Sequence, residues 1–357
     1  MRMSRTVGAA AAFACAIGLL SSASAQDAAW QASLAAGKKE GSVVAASASL
    51  SGKAAVSAMN EFKNQFGISL ELFTGRMAVA QEKIQTEQKS KSYVTDAMDE
   101  GGMSIVLLKK AGYLQNIAGS LPALKETDKF PYPIAADPES EVLNIFEIHI
   151  FLCVNTNLVK PEDEPKSFQD LLDPKWKGKI FLTNPLYTTS PEETMLALTK
   201  AKATTGLDDA YFAKLYGNSL VGGPGGADEA MDKLVRGEVA IAGLFAGASA
   251  FKPIQLGAPI KVLDLKEGTV SKTMKWGLIK DAPHPNASKV YINWLLSKEG
   301  QTLITRETGL ESVRSDVPSP MPTQLKSPPI RMSYDDLVEA EERRSKNYMA
   351  NLVGAKK

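Results

Sequence analysis

Cysteine and histidine are almost missing from these 357 residues, two of each, and aromatic residues make up only 7%. With Cys15 near the amino terminus and Cys153 inside the apolar run 145–154, no disulfide framework can staple the fold. Cys153 is expected to be a buried small hydrophobe. His149 sits in an apolar alternation and His284 between prolines, neither with a ligand-spaced partner. H-E-x-x-H, Cys-x-x-Cys and G-x-S-x-G patterns are also absent, which removes the common signatures of metallohydrolase, redox and serine-hydrolase chemistry. Paired acids (Asp99-Glu100, Glu192-Glu193, Asp208-Asp209) read as solvated helix faces rather than catalytic dyads.

There is no excess of either charge: 41 Lys and Arg stand against 40 Asp and Glu. Nothing therefore draws the whole molecule to nucleic acid or anionic lipid. Nor does any apolar run reach the roughly 20 residues that span a bilayer. The longest, Val7 to Leu20, has 14, follows Arg2 and Arg5 and precedes Ala23-Ser24-Ala25, the pattern of a cleavable secretory signal over 1–25. Ala12-Phe13-Ala14 before Cys15 does not fit a lipoprotein site. The mature chain of 332 residues, having lost Arg2 and Arg5, carries 39 basic and 40 acidic side chains and is expected to be exported and monomeric.

Within it, β-type runs alternate with helical patterns, which predicts an α/β protein. Strands are expected at 42–46, 69–73, 145–154, 179–182, 238–245 and 274–279. Met59, Phe62 and Phe66 give one helix an apolar stripe, and Val290, Tyr291, Trp294, Leu295 and Lys298 another, opened by Pro285-Asn286. "VVAASASLSG" (Val43 to Gly52) runs from a strand into small hydroxyl residues just before a helix, and Thr183 to Leu198 repeats this pattern, with Ser190, Pro191 and Glu193 forming a capping box. Gly222 to Ala227 and Phe245 to Phe251 are two further small-residue loops. In open α/β sheets such loops, at the carboxyl ends of strands, hold ligands.

"DLLDPKWKGKI" (Asp170 to Ile180) resembles the segment after the lobe-crossing strand in family 1 periplasmic solute-binding proteins of ABC transporters, in the branch related to ferric-ion-binding proteins. Val154-Asn155-Thr156, "LVRGEVAIAG" (Leu234 to Gly243), "APHPNASKVYINWLLSKEGQ" (Ala282 to Gln301) and "GRMAVAQEKIQTEQ" (Gly75 to Gln88) resemble further pieces in the same order. The resemblance implies a two-lobed, type II-like periplasmic binding protein fold, each lobe a mixed sheet flanked by helices, with a strand hinge. It assigns 26–148 and 262–310 to lobe 1 and 149–261 to lobe 2. The tail, 311–357, matches no motif; it reads as a Pro-rich linker and a capped helix packing on lobe 2.

The same resemblance implies a binding protein rather than an enzyme, one that closes over a small molecule in the periplasm and delivers it to an ABC permease. Relatives that hold iron place adjacent tyrosines where Phe245 to Phe251 stands here with none, which weakens a ferric ion or ferric chelate as cargo and leaves it as the alternative. An organic anion or zwitterion, with no cofactor and no metal, is the leading one. Arg76, after Thr74-Gly75, would grip a carboxylate or phosphonate in two parallel hydrogen bonds, or else serve as an interlobe salt bridge. Ser47, Ser49, Ser51, Asn184, Thr188, Thr189, Ser190 and Ser249 would supply polar contacts. Gly225 and Gly226 would allow close backbone approach, and Phe245 would flank the ligand's body. Glu192 and Glu193, in the first turn of their helix, would repel an anion.

Overall fold

The computed structural model describes residues 28–116, 121–321 and 325–354; the signal sequence and Cys15 lie outside them. The first half of the chain runs through α1 (28–40), β1 (Ser42–Ser47), α2 (Gly52–Phe66), β2 (Ser69–Phe73), α3 (Met77–Ser90), β3 (Ala97–Glu100), α4 (Ser104–Lys110), β4 (Leu114–Gln115) and β5 (Leu143–Asn155). The second half follows with β6 (Ile180–Leu182), α5 (Ser190–Lys200), α6 (Lys202–Thr205), α7 (Asp209–Asn218), β7 (Leu220–Val221), α8 (Gly226–Val235), β8 (Ile241–Ala246), α9 (Ala248–Gln255), β9 (Ile260–Val262) and β10 (Val270–Ile279). The chain ends in α10 (Pro285–Leu296), α11 (Lys298–Thr308), β11 (Glu311–Ser312), β12 (Ile330–Arg331), α12 (Tyr334–Ser345) and α13 (Tyr348–Leu352).

The strands order as β2-β1-β3-β10-β5-β8-β6-β7. β1, β2 and β3 are mutually parallel, as are β6, β7 and β8, while β5 and β10 pair antiparallel in the middle. Those two strands cross between two cores. Leu143, Ile145 and Phe146 of β5 join Trp276 and Leu278 of β10 in a first core with Phe62, Tyr291 and Trp294. Ile150, Leu152 and Val154 join Val270 in a second core with Phe212 and Leu215. The molecule is therefore two lobes linked by a two-stranded ribbon, whose midpoint pairs Glu147 with Thr273 and Ile148 with Lys272. β5 is buried along most of its length and carries Asn144, Glu147 and His149 in the half next to the ribbon's midpoint.

The strand forecast missed β3, the short β4, β7, β9, β11 and β12, and the first four residues of β10. In β3, the acids Asp99 and Glu100 mask a strand that is buried along its whole length. The Asp99-Glu100 and Glu192-Glu193 pairs are accordingly not solvated faces: all four are below a tenth exposed. The expected capping box at Ser190 is not formed either. Helix α5 starts at Ser190 with Thr189 at the N-cap and no side-chain cap bond, because the Glu193 carboxylate turns to Lys272 instead. The tail does carry such a box: Ser333 and Asp336 cap α12 reciprocally. Leu337, Ala340 and Met349 then enter the second core.

Candidate functional site

In lobe 1 the carboxyl ends of β1, β2 and β3 lead into turns that hold Ser47 to Ser51, Thr74 to Arg76 and Gly101 to Met103. In lobe 2 those of β6, β7 and β8 lead into Thr183 to Thr189, Gly222 to Gly225 and Gly247. The antiparallel central ribbon makes these two sets of loops point toward each other. They meet directly where Gly102 and Met103 face Thr189, Glu192 and Glu193 across a gap of about 30 Å³. On the other flank, Lys53, Arg306 and Glu307 face Phe251, Lys252 and Gln255 across a groove of about 460 Å³. The floor near the ribbon is formed by Ile148, Met274 and Lys272, which crowd Gly101 closely.

The candidate residues divide into those turned inward and those left free. Ser49 donates both its backbone N–H (2.9 Å) and its hydroxyl to Asp99 Oδ1, and Ser47 Oγ accepts the Leu50 N–H at 3.1 Å. These two serines build the loop around a buried carboxyl, whose pKa is raised by burial against the opposing hydrogen bonds of Ser47 and Ser49. Ser51, at the N-cap of α2, is exposed and makes no side-chain cap bond. Asn184 shapes its own turn: Oδ1 accepts from Leu186 N–H at 2.9 Å, and its carbonyl accepts from Thr188 N–H at 3.1 Å. Phe245 is only 2% exposed and belongs to a lobe 2 core with Phe151 and Phe251, so neither Phe245 nor Phe251 presents a free ring.

Arg76 is exposed at the N-cap of α3; its carbonyl accepts the Val79 N–H at 3.0 Å and the Ala80 N–H at 3.2 Å, while its guanidinium makes no hydrogen bond or ion pair with another described residue. Ser249, partly exposed, lies in the first turn of α9. Ser190 is the first residue of α5, with its carbonyl accepting the Thr194 hydroxyl at 2.8 Å. Gly225 is exposed beside Gly226, whose positive φ of 57° and 3.1 Å approach to Thr188 Cγ2 leave no comfortable room for a side chain.

Sequence reasoning missed the two hinge lysines. Lys272 Nζ donates to Glu193 Oε1 at 2.7 Å and reaches Thr189 Oγ1 at 3.5 Å. The Glu192 carboxylate is held by an ion pair to Arg343 at 2.9 Å and by the Met349 N–H at 3.0 Å, while burial raises its pKa. The two acids that were expected to repel an anion are thus neutralised, one by the hinge and one by the tail. No local pattern could have disclosed this, since the partners lie 79 and more than 150 positions away.

Of the lobe 2 tyrosines, Tyr187 is 38% exposed on the cleft loop and two others are turned inward. Tyr211 and Tyr216 are buried and donate their hydroxyls to the carbonyls of Phe168 and Thr183, and burial raises both phenol pKa values. Among the described residues no group of three His, Cys, Asp or Glu side chains is placed to hold one ion. Cys153 is fully buried, its thiol pushed up to about 12.

Against known proteins, the family described as bacterial extracellular solute-binding protein matches residues 57–332. A periplasmic protein of Salmonella typhi, provisionally named for 2-aminoethylphosphonate binding, is 30% identical over 171 residues. The match covers 46% of this chain and 49% of that protein, so the chain spans about half the length of the curated relatives it matches. Iron-bound HitA from Pseudomonas aeruginosa superposes with a TM-score of 0.69 at 18% identity, over 87% of this chain and 99% of that one. AfuA from Actinobacillus pleuropneumoniae, solved with fructose-6-phosphate, gives 0.60 at 17% identity, over 87% and 96%. One fold thus carries unlike cargoes, and the ligand has to be argued from the site.

Proposed function

Because the chain belongs to the bacterial extracellular solute-binding proteins, we propose that it captures a small organic anion or zwitterion, a phosphonate or carboxylate, between its lobes and passes it to an ABC permease. The carrying observation is Arg76, an exposed guanidinium on a lobe 1 loop whose donors no described residue uses. A planar fork of this kind matches a carboxylate or phosphonate in two parallel bonds. Ser51 offers a hydroxyl from lobe 1 and Ser249 one from lobe 2, where Thr188 and Thr189 add two more. Ser190, Asn184, Gly225 and Gly226 contribute backbone at the lobe 2 loops, and Ser47 and Ser49 set the shape of the lobe 1 loop from behind. Neutralisation of Glu192 and Glu193 supports the reading, since it lifts the repulsion that would keep an anion from the start of α5. The Salmonella relative adds a phosphonate to the classes worth testing first.

Binding without bond breaking fits two lobes on a ribbon, where a ligand that contacts both favours the closed arrangement. The family places the protein outside the cytoplasmic membrane, and among the described residues no helix is long and apolar enough to span one.

The test is a thermal-shift and calorimetric panel of 2-aminoethylphosphonate, other phosphonates, carboxylates, amino acids and ferric salts. A ligand at 100 times its Kd adds about 2.7 kcal/mol of stability. The expected result is a shift with an organic anion that Arg76→Ala weakens by about ten- to a hundredfold, as befits a charged hydrogen-bonded pair. A response to ferric salt alone, with a visible charge-transfer band, would sink the anion reading.

A further inference from the structure

A cavity of about 340 Å³ lies apart from the cleft loops, between the hinge ribbon, residues 132–136 and the tail at Arg331 to Tyr334. None of the twelve candidate ligand residues lines it. Its size falls in the range of small-molecule sites. Its wall holds Lys275, 1% exposed, whose amine donates to Thr273 O at 3.2 Å and Thr273 Oγ1 at 2.9 Å; no carboxylate of a described residue forms an ion pair with it. Thr273 Oγ1 in turn donates to Asn144 Oδ1 at 2.6 Å, so both neutral acceptors are fixed. Tyr132 adds a second donor: its hydroxyl is shielded from solvent and has no hydrogen-bond partner.

The cavity's one carboxylate is already satisfied. Glu147 Oε1 accepts from Arg331 Nε at 2.7 Å and from the Ser271 hydroxyl at 3.2 Å, and Lys272 is paired with Glu193. That leaves one cation with no ion-paired carboxylate, felt only through space by Glu193 and Glu100, one orphan hydroxyl, and apolar walls from Pro133, Ala135, Ala136 and Met332. Buried charge without a hydrogen-bonded counter-ion is costly, and burial together with the nearby Lys272 outweighs the attraction of Glu193 and Glu100 and pushes the Lys275 amine down to about 7. A single negative charge with a short apolar body would relieve that cost.

We propose that this cavity is a second binding site, for a small monocarboxylate whose charge is taken by Lys275 and Tyr132. It goes beyond cleft capture and does not depend on it. Since Lys272 links the cavity wall to Glu193 and Thr189, an occupant would also brace the start of α5.

Benzoate and butyrate, titrated by calorimetry and thermal shift into the exported protein, are the probes. Saturable binding is expected in wild type and in Arg76→Ala, with at least a tenfold loss in Lys275→Met and a several-fold loss in Tyr132→Phe. Lys275→Met removes a buried charge and should fold; Tyr132→Phe keeps the ring and carries the test if it does not. No binding of either probe, or equal binding in both cavity variants, overturns the proposal. Loss of 2-aminoethylphosphonate binding in Arg76→Ala with benzoate binding kept would mark the two sites as separate, so either reading can fail alone.

Discussion

Lys275 is the residue whose environment departs furthest from what its neighbours in sequence suggest. A lysine in a strand reading Val-Ser-Lys-Thr-Met-Lys-Trp would ordinarily snorkel to solvent, yet it is 1% exposed and its amine is pushed down to about 7, first by burial and then by Lys272. The sign of the consequence follows from linkage. The folded pKa lies below the ordinary lysine value, so the unfolded chain binds the extra proton between about pH 7 and the ordinary range. The penalty is therefore full below pH 7 and fades as pH rises. Lys275→Met should raise the melting temperature relative to wild type at pH 6, by an amount that shrinks steadily toward pH 9 in ligand-free protein. A difference independent of pH would show that the amine is not buried as described. Ser49 and Arg76 illustrate the same point without titration: two polar residues in equivalent loops, one spent on Asp99 and the other left to solvent.

At the scale of elements, the start of α5 is where hinge, tail and cleft come together. Lys200 of α5 pairs with Asp336 and Glu339 of α12, Arg343 pairs with Glu192, and the Tyr348 hydroxyl donates to Asp209 at 2.6 Å. The exposed pairs contribute little. Burial of Leu337, Ala340 and Met349 and the pairing of Glu192 carry more, the former at about 25 cal/mol per Å² of apolar surface removed from water. Tyr334 and Val338 on the same helix pack against the lobe 1 cluster that includes Met98, Ile105 and Leu108, so α12 touches both lobes. Arg343→Leu should lower stability by about 1–3 kcal/mol in urea unfolding, below the range for a fully buried pair because Arg343 keeps 18% exposure. Deletion from Val317 onward should lower it further and expose the apolar face of α5. An unchanged midpoint in both would mean the tail is not part of the fold.

At the scale of the whole molecule, each lobe has its own cores, while the ribbon between the lobes is only two strands wide and α12 packs on both. That contrast allows lobes to rotate as bodies, with the φ/ψ change taken up near Glu147 to His149 and Ser271 to Met274, where the register slips between Met274 and Lys275. A cleft ligand is expected to reduce the radius of gyration in solution scattering, and Arg76→Ala to prevent the change at the same ligand concentration. A ligand that binds tightly with no change in scattering would contradict closure.

By itself the sequence determined the class of fold, since alternating strand and helix periods, and the ordered pieces such as Asp170 to Ile180 and Ala282 to Gln301, are local patterns that survive in any context. It also determined the helix that carries Met59, Phe62 and Phe66, the one that begins at Pro285, and the burial of Phe62, Tyr291 and Trp294, because periodic apolar residues have nowhere else to go. Only the tertiary structure decided what the polar residues do. Asp99 and Glu100 proved to be buried strand, and Ser49 an inward ligand of Asp99. Glu192 and Glu193 are buried and paired with Arg343 and Lys272, far along the chain. The reason is physical: a hydrophobe's destination follows from its own transfer free energy, whereas a polar group's depends on which partner the fold brings within 3 Å of it.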